Sequence, residues 1–379
     1  MKKIIIIGAG FAGISAIQRL TSYKGRDDLE VTLINEKEQM SFLPVLPDCF
    51  GRNIKPEHLL FNLASLRNRR NFKFVQDRAI ALNLEKKEVK TTSLSLNFDF
   101  LIIASGSETN FYGNNAIKEA SLKLDDAKDA ILIRKSLDEK DFNSYIIAGA
   151  GYTGIEVATN LRVYLRKNKK DKRIVIVERA ASMLGPLPQW MKEYVADNLR
   201  RLNIEVLFNT SIDKIENNTV RLSDSKVFEN SMLIWAAGVR TADFIQNLGL
   251  EKNAQGRIKT DEYLRFNEAC FAAGDSAYFS YRNNFLRMAV QFAIMEGSFS
   301  ALNVLRAVEG RPLVKYTPVD LGYIVPMANN RACGVVLGIK MKGLLPLILH
   351  YSMCIYRSYT LKNKLGIIKD LFVDTSKAK

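Results

Sequence analysis

Apolar residues run without alternation at positions 4–7, Ile4-Ile5-Ile6-Ile7, and a glycine-rich turn follows at once. An unbroken β-branched run suits a parallel strand buried on both faces. The same pattern returns at 145–148, again running straight into glycines. Second strands are expected at 31–34 and 173–177, with a helix over 155–165 between the later pair. Further apolar runs at 99–106, 232–238 and 271–274 each end in a glycine turn and read as buried strands. Residues 72–75 and 204–208 read as shorter strands, 59–66 as a short helix, and 82–98 and the region of 220–222 as antiparallel hairpins. Strands alternating with helical stretches place the chain in the α/β class.

The two glycine turns carry chemistry. In Gly8-Ala9-Gly10-Phe11-Ala12-Gly13 the first glycine permits a tight turn, the second lets backbone approach a pyrophosphate, and the third allows close strand–helix packing. Glu36, at the end of the next strand, stands where a dinucleotide-binding unit needs an acceptor for ribose hydroxyls. Gly149-Ala150-Gly151-Tyr152-Thr153-Gly154 repeats the device, with Glu178 at the end of its second strand. Two such units on one chain indicate an enzyme that binds two nucleotides. A carboxylate at Glu178 accepts from a free 2′-hydroxyl and repels a 2′-phosphate, which favours NADH over NADPH, although Arg179 follows directly. Glu156, in the first turn of the second unit's helix, reads equally as a helix-dipole partner or as a contact to the nicotinamide end of a ligand. Asp275 follows Gly274 and is expected to cap a helix and bond a ligand hydroxyl.

Composition narrows the picture little. The 379 residues are 47% hydrophobic and carry a net charge of +15, enough apolar material for two or three cores and enough charge for an anionic partner. Cys49, Cys270, Cys333 and Cys354 are scattered without metal-knuckle or redox-motif spacing, so no metal site is expected. The four-residue apolar run at the start leads into a glycine turn and not into a cleavage site, so a cytoplasmic body without a signal peptide is expected.

These motifs together resemble the flavoprotein family with two dinucleotide-binding domains, the pyridine nucleotide-disulfide oxidoreductases, in which one domain is inserted into the other. Within it the likeness is to type II NADH dehydrogenases, single-chain NADH:quinone oxidoreductases. Phe42-Leu43-Pro44-Val45-Leu46-Pro47 is similar to their FxPLLP loop, Trp235-Ala236-Ala237-Gly238 to their WxAG turn, and Val290-Gln291-Phe292-Ala293 with Gly297 to their AQxAxxxG helix. Ser105 replaces the usual threonine of the crossover Ala104-Ser105-Gly106, and Val290 the usual alanine.

The resemblance implies an FAD-binding domain over 1–110 and 246–330, an inserted NADH-binding domain over 111–245, and a C-terminal membrane-association region over 331–379. It implies FAD contacts at Gly8, Gly10, Phe11, Ala12, Gly13, Glu36, Lys37, Pro44, Ala104, Ser105, Gly106, Gly274, Asp275, Gln291 and Phe292. NADH contacts fall at Gly149, Gly151, Tyr152, Thr153, Gly154, Glu178, Ala237 and Gly238. Glu156 would hold the nicotinamide side and Gln291 would face the quinone head group; without the motif, Gln291 would read as a core-bonded or solvated amide. The implied reaction passes a hydride from NADH to FAD and then two electrons to a membrane quinone without ion pumping. The alternative is a soluble reductase of the same architecture serving an electron carrier or sulfur.

The tail bears on that choice. Residues 340–379 hold eight Lys/Arg against two Asp, around apolar stretches at 343–356 and 365–373. The first is shorter than the roughly 20 residues a spanning helix needs. Basic residues flanking amphipathic stretches suit a peripheral, monotopic protein on the cytoplasmic face of the cell membrane. Expected partners are therefore NADH, a membrane quinone and an anionic membrane surface, and not nucleic acid; a core-covering hairpin or a homodimer contact is the other reading of the tail.

Overall fold

The isoleucine run becomes the Lys2–Ile7 strand, near the middle of a six-stranded sheet in the order Arg265–Asn267, Cys270–Ala272, Phe100–Ile103, Lys2–Ile7, Leu29–Asn35, Phe72–Gln76. Ile4 to Ile7 pair in parallel with Val31 to Ile34 on one side and Phe100 to Ile103 on the other. All four isoleucines are buried, which explains the absence of alternation. The computed structural model describes residues 1–22, 28–69, 71–282 and 284–376. Two α/β units emerge, one from residues 1–40, 62–108 and 239–320, the other from 41–61, 109–238 and 321–379.

In the first unit the helix Phe11–Thr21 packs against Val290–Val308. Their approach is close enough that a Cβ on Gly297 would sit 2.0 Å from the Ala12 carbonyl oxygen, and the Ser15 hydroxyl donates to the Ile294 carbonyl at 2.7 Å. The expected hairpin region forms three antiparallel strands, Ala79–Asn83, Glu88–Thr91 and Ser95–Asn97.

The second unit is built on a four-stranded parallel sheet in the order Ile204–Leu207, Arg173–Val177, Ser144–Ala148, Ser231–Trp235. Its central helix Tyr152–Lys167 buries ten residues, and the Ala127–Glu139 helix begins at a reciprocal capping box between Asp126 and Asp129. An antiparallel meander, Gly322–Met327, Arg331–Val336 and Ile339–Gly343, leads into two final helices, Leu344–Arg357 and Leu361–Ser376. Segment 41–61 belongs here and not with the first unit, because its short helix Asp48–Gly51 packs on Tyr152–Lys167. A Cβ on Gly51 would collide with Asn160, and the Lys167 ammonium donates to the Gly51 carbonyl at 2.9 Å. The segmentation expected from sequence left 41–61 in the flavin segment and set 331–379 apart.

The helix expected at 59–66 does not form. The chain instead makes a 3₁₀ turn Pro56–Leu59, a strand Leu60–Asn62 and a 3₁₀ turn Leu63–Asn68. The Asn363 side-chain amide takes the carbonyls of His58 and Leu60 at 2.7 and 2.9 Å, so those acceptors are withdrawn from any i to i+4 pattern. The residue Asp370 completes this latch by accepting from the Lys55 backbone at 2.9 Å and pairing with the His58 ring at 2.6 Å. Among the described residues, no helix is long and apolar enough to cross a membrane.

Candidate functional site

In the first unit, the glycine loop leaves the Lys2–Ile7 strand at its carboxyl end, where open α/β sheets receive ligands. Gly8 has φ +100°, and a Cβ there would lie 2.4 Å from the Ala104 carbonyl oxygen. A Cβ on Gly13 would lie 1.9 Å from the Gly8 carbonyl oxygen. Gly10 differs, since a Cβ would meet nothing within 4 Å. Its glycine is therefore not required by packing. It keeps space open over the start of the Phe11–Thr21 helix, whose first turn has no side-chain cap. Free N–H groups and an unobstructed approach are what a pyrophosphate needs.

Asn35 ends the neighbouring strand and accepts from the Ala9 backbone at 3.0 Å; Glu36 and Lys37 follow it on the surface. The crossover Ala104-Ser105-Gly106 meets the Gly274 turn: Ser276 accepts from the Gly106 backbone at 3.0 Å and lies 3.2 Å from the Ser105 hydroxyl. Asp275 does not cap a helix as expected. It lies in a 3₁₀ turn, Gly274–Ser276, which passes directly into the strand Ala277–Tyr278, so its carboxylate is turned to accept from the Ser107 hydroxyl at 2.7 Å. Burial raises its pKa against the opposing pull of that hydroxyl and of Arg257.

Gln291 and Phe292 open the Val290–Val308 helix, and both are buried. The Gln291 amide donates to Asp320 at 3.0 Å, and Asp320 is held in turn by both guanidinium nitrogens of Arg287 at 2.6 and 2.7 Å. This fixes the amide by a hydrogen bond instead of leaving it solvated.

The second unit repeats the loop geometry. Gly149 has φ +99°, a Cβ on it would lie 2.8 Å from the Ala236 carbonyl oxygen, and Gly154 would strike Gly149 at 1.9 Å. Gly151 again has nothing within 4 Å. Tyr152 and Thr153 form the first turn of the helix, while Gly238 at φ +86° closes the Ala237 turn against Tyr112. The Glu178 carboxylate accepts from the Ala150 backbone with one oxygen and the Ala180 backbone with the other, each at 2.8 Å. The two acids seen in the sequence are not at matched positions. Ile7 pairs with Ile34 and Ala148 with Val177, so Glu178 stands in register with Asn35, and Arg179 with Glu36.

Glu156 is half-buried one turn into its helix, and burial together with the negative charge of Asp48 raises its pKa well above its ordinary value. Asp48 is buried, lies 3.5 Å from the Arg52 guanidinium and accepts from the Tyr351 hydroxyl. Arg52 donates to Asn330 at 2.9 Å and lies over the Tyr351 ring at 5.3 Å. His350 lies 3.6 Å from the Cys354 sulfur, and burial with Arg52 and Arg357 lowers its pKa to about 4. Sequence reasoning missed this cluster because its members come from four segments, around 48–52, 156, 330 and 350–357. The one available signal was an Asp and an Arg spaced i, i+4 in an otherwise apolar loop. Pro44 lies in the 3₁₀ turn Leu43–Val45 of the same unit.

The final helices bury Pro346, Leu347, Tyr351 and Cys354 from the first and Asn363, Ile367 and Asp370 from the second. Their other faces expose Leu344, Leu345, Ile348, Met353, Tyr356, Leu361, Leu365 and Phe372, with Tyr356 76% and Phe372 72% accessible. Large apolar side chains are thus exposed on both helices.

Two relatives align over nearly the whole chain. A type II NADH:quinone oxidoreductase of Staphylococcus saprophyticus is 26% identical over 368 residues, 90% of this chain and 91% of that protein. The demethylphylloquinone reductase NdbB of Synechocystis is 26% identical over 384 residues, 96% of this chain and 94% of that one. Among solved structures, NDH2 of Plasmodium falciparum in complex with NADH matches with a TM-score of 0.86 at 19% identity, covering 99% of this chain and 98% of that one. The sulfide:quinone oxidoreductase of Aquifex aeolicus matches at 0.81 and 19%, covering 97% and 92%. These structural likenesses establish a common fold. The family model for pyridine nucleotide-disulphide oxidoreductases matches residues 2–297, and the chain belongs to that family.

Proposed function

We propose that this protein is an FAD-dependent oxidoreductase that takes a hydride from NADH and passes two electrons to a membrane quinone without pumping ions. The observation that carries the reading is the pair of glycine loops in which Gly10 and Gly151 alone stand free of packing, each over an uncapped helix N-terminus. Packing dictates the other glycines of both loops, so these two are explained by a ligand. The near full-length likeness to quinone-reducing relatives supports the choice of acceptor.

In this reading the first unit holds FAD through the Gly8 to Gly13 loop, the 104–106 crossover and Asp275. The second holds NADH through the Gly149 to Gly154 loop, with Glu178 preset by its two backbone donors to accept from the adenosine ribose. Bound FAD supplies two-electron redox chemistry between nicotinamide and quinone. NADH plus quinone yields NAD⁺ and quinol only with one further proton from solvent. The Glu156 carboxyl, whose pKa burial and the charge of Asp48 raise, is suited to hold that proton at its oxygen as well as to contact the nicotinamide side. Gln291, oriented by Asp320, is assigned to the quinone head group.

The apolar face of the last two helices, flanked by Arg357, Lys362, Lys364 and Lys369, is assigned to an anionic membrane surface on the cytoplasmic side. A helix of 14 residues is about 21 Å long, enough to lie on a bilayer and too short to cross it. Sulfur chemistry is disfavoured. All four cysteines are free and buried, and burial pushes each thiol up, Cys270 and Cys333 to about 12, away from the thiolate such chemistry needs.

Stopped-flow mixing tests the whole reading. NADH should bleach the flavin absorbance of the purified holoprotein within a turnover time, and a short-chain quinone should restore it. A flavin that NADH leaves oxidised, or that quinone leaves reduced, refutes the proposal.

A further inference from the structure

The Val290–Val308 helix is apolar over most of its length, yet it carries Glu296 with 1% of its surface accessible. That carboxylate accepts from the Gly274 backbone at 2.7 Å and so ties the helix to the turn bearing Asp275. Arg257, also buried, faces both acids, donates to the Leu286 carbonyl at 3.0 Å and leaves its Nε without a hydrogen-bond partner among the described residues. The hydroxyls of Ser300 and Tyr316 are likewise buried and unpartnered there. A buried carboxyl at Glu296, a half-buried one at Asp275 and one buried guanidinium, with neutral hydroxyls around them, cannot all carry charge cheaply where little solvent reaches.

Resting on the assignment of FAD to this unit, we propose that Asp275 and Glu296 share a single proton with Arg257 as their counter-charge, and that this proton governs retention of the cofactor. Glu296 is a positioning residue in this scheme. While protonated it still accepts the Gly274 N–H, and it adds no charge beside the turn. Once ionised it places a second negative charge next to Asp275, near the seat of an anionic dinucleotide. The groups facing Glu296 are Arg257, Asp275 and Tyr316, with Tyr278 facing Arg257; only Arg257 among them is cationic. Burial dominates over Arg257 and the Gly274 N–H and lifts Glu296 to about 8, so the exchange falls within a testable range. Because the two carboxyls interact, the measured value belongs to the pair.

The sign follows from linkage. If the cofactor binds the protonated pair better, binding takes up a proton and affinity falls as pH rises. FAD titrated into apoprotein should show a dissociation constant constant to about pH 8 and then rising by up to about tenfold per pH unit. Calorimetry at pH 9 in two buffers of different ionisation heat should count most of one proton taken up per FAD. Glu296→Gln keeps an oxygen for the Gly274 N–H and cannot ionise; it should bind FAD as the parent does at pH 6, with a flat profile and no proton uptake at pH 9. Arg257→Met removes the counter-charge and should move the break to higher pH. A parent protein that binds FAD with a flat profile, or a Glu296→Gln variant that keeps the parent's slope, overturns this inference alone. Absence of FAD binding at every pH overturns it together with the functional reading beneath it.

Discussion

Alanine at Gly10 and alanine at Gly13 should have opposite consequences, although both positions belong to one motif. At Gly13 the added Cβ would stand 1.9 Å from the Gly8 carbonyl oxygen, against roughly 3.5 Å for an unstrained contact. The loop would have to retreat by more than about 1 Å, and overpacking of this kind costs about 1–3 kcal/mol or more. At Gly10, with φ −75° and nothing within 4 Å, alanine meets no obstacle, and restricting the unfolded chain should stabilise the apoprotein by about 0.4–1 kcal/mol. Its methyl group, however, fills the open space above the helix N-terminus. Ligand-linked stability, about 2.7 kcal/mol at a hundredfold excess over the dissociation constant, should then disappear. Urea unfolding of both variants, with and without FAD, gives the four numbers needed. G13A should be destabilised in both conditions, whereas G10A should match or exceed the parent without FAD and gain nothing from it. Parental flavin affinity in G10A would remove the ground for seating a pyrophosphate there, and an unchanged apo-stability in G13A would show that the loop is softer than its geometry implies. The pair Gly151→Ala and Gly154→Ala should repeat the pattern for NADH.

Glu178→Gln leaves one oxygen for two backbone donors and removes the charge facing a 2′-phosphate, so kcat/KM with NADH should fall about tenfold and the preference over NADPH should narrow by a similar factor; an unchanged ratio in steady-state assays would acquit Glu178 of cofactor selection. Removing residues from Gly343 onward should release the protein from anionic vesicles and sharply reduce turnover with long-chain quinone while NADH still reduces the flavin. High salt should weaken attachment of the full chain without abolishing it, each interfacial Lys or Arg contributing on the order of 1 kcal/mol, and complete wash-off in a flotation assay would contradict an inserted apolar face. His350, lowered to about 4 from 6.5 by burial and by Arg52 and Arg357, binds a proton less readily folded than unfolded. Stability should thus be fully present above about pH 6.5 and decline between there and about 4, by on the order of 3 kcal/mol at the low end, and His350→Gln should flatten that limb in urea titrations.

What the chain revealed in advance was mostly local. The strands at 4–7 and 145–148 and their glycine turns were legible because a buried parallel strand and a turn demanding positive φ are properties of a few adjacent residues. Counting residues to the acids was less secure, since strand pairing and not sequence distance sets register, and it is register that aligns Glu178 with Asn35. Asp275 was misjudged because aspartate after glycine suits a helix cap and a 3₁₀ turn alike. The 59–66 segment failed for a long-range reason: the acceptors a helix would use are taken by Asn363, some three hundred residues away in sequence. Glu296 was overlooked within a motif read for its glutamine and glycine, although a lone acid inside an apolar helix is itself a signal.

The division of the first sheet across the chain also orders events during synthesis. Strands of the second unit's sheet are contributed between residues 144 and 235, so that sheet can close as soon as its own residues are available. The Phe100–Ile103 strand must wait for Cys270–Ala272, roughly 170 residues later, which at about 5–20 residues per second is roughly 10–30 s. Throughout that interval a nascent chain displays an isoleucine-rich strand with one unpaired edge, the arrangement most prone to pairing with a neighbour on the same polysome. Slowing translation beyond residue 103 should therefore lower the soluble yield, and early folding of the later-synthesised sheet would bring the two ends of the interrupted one back within reach.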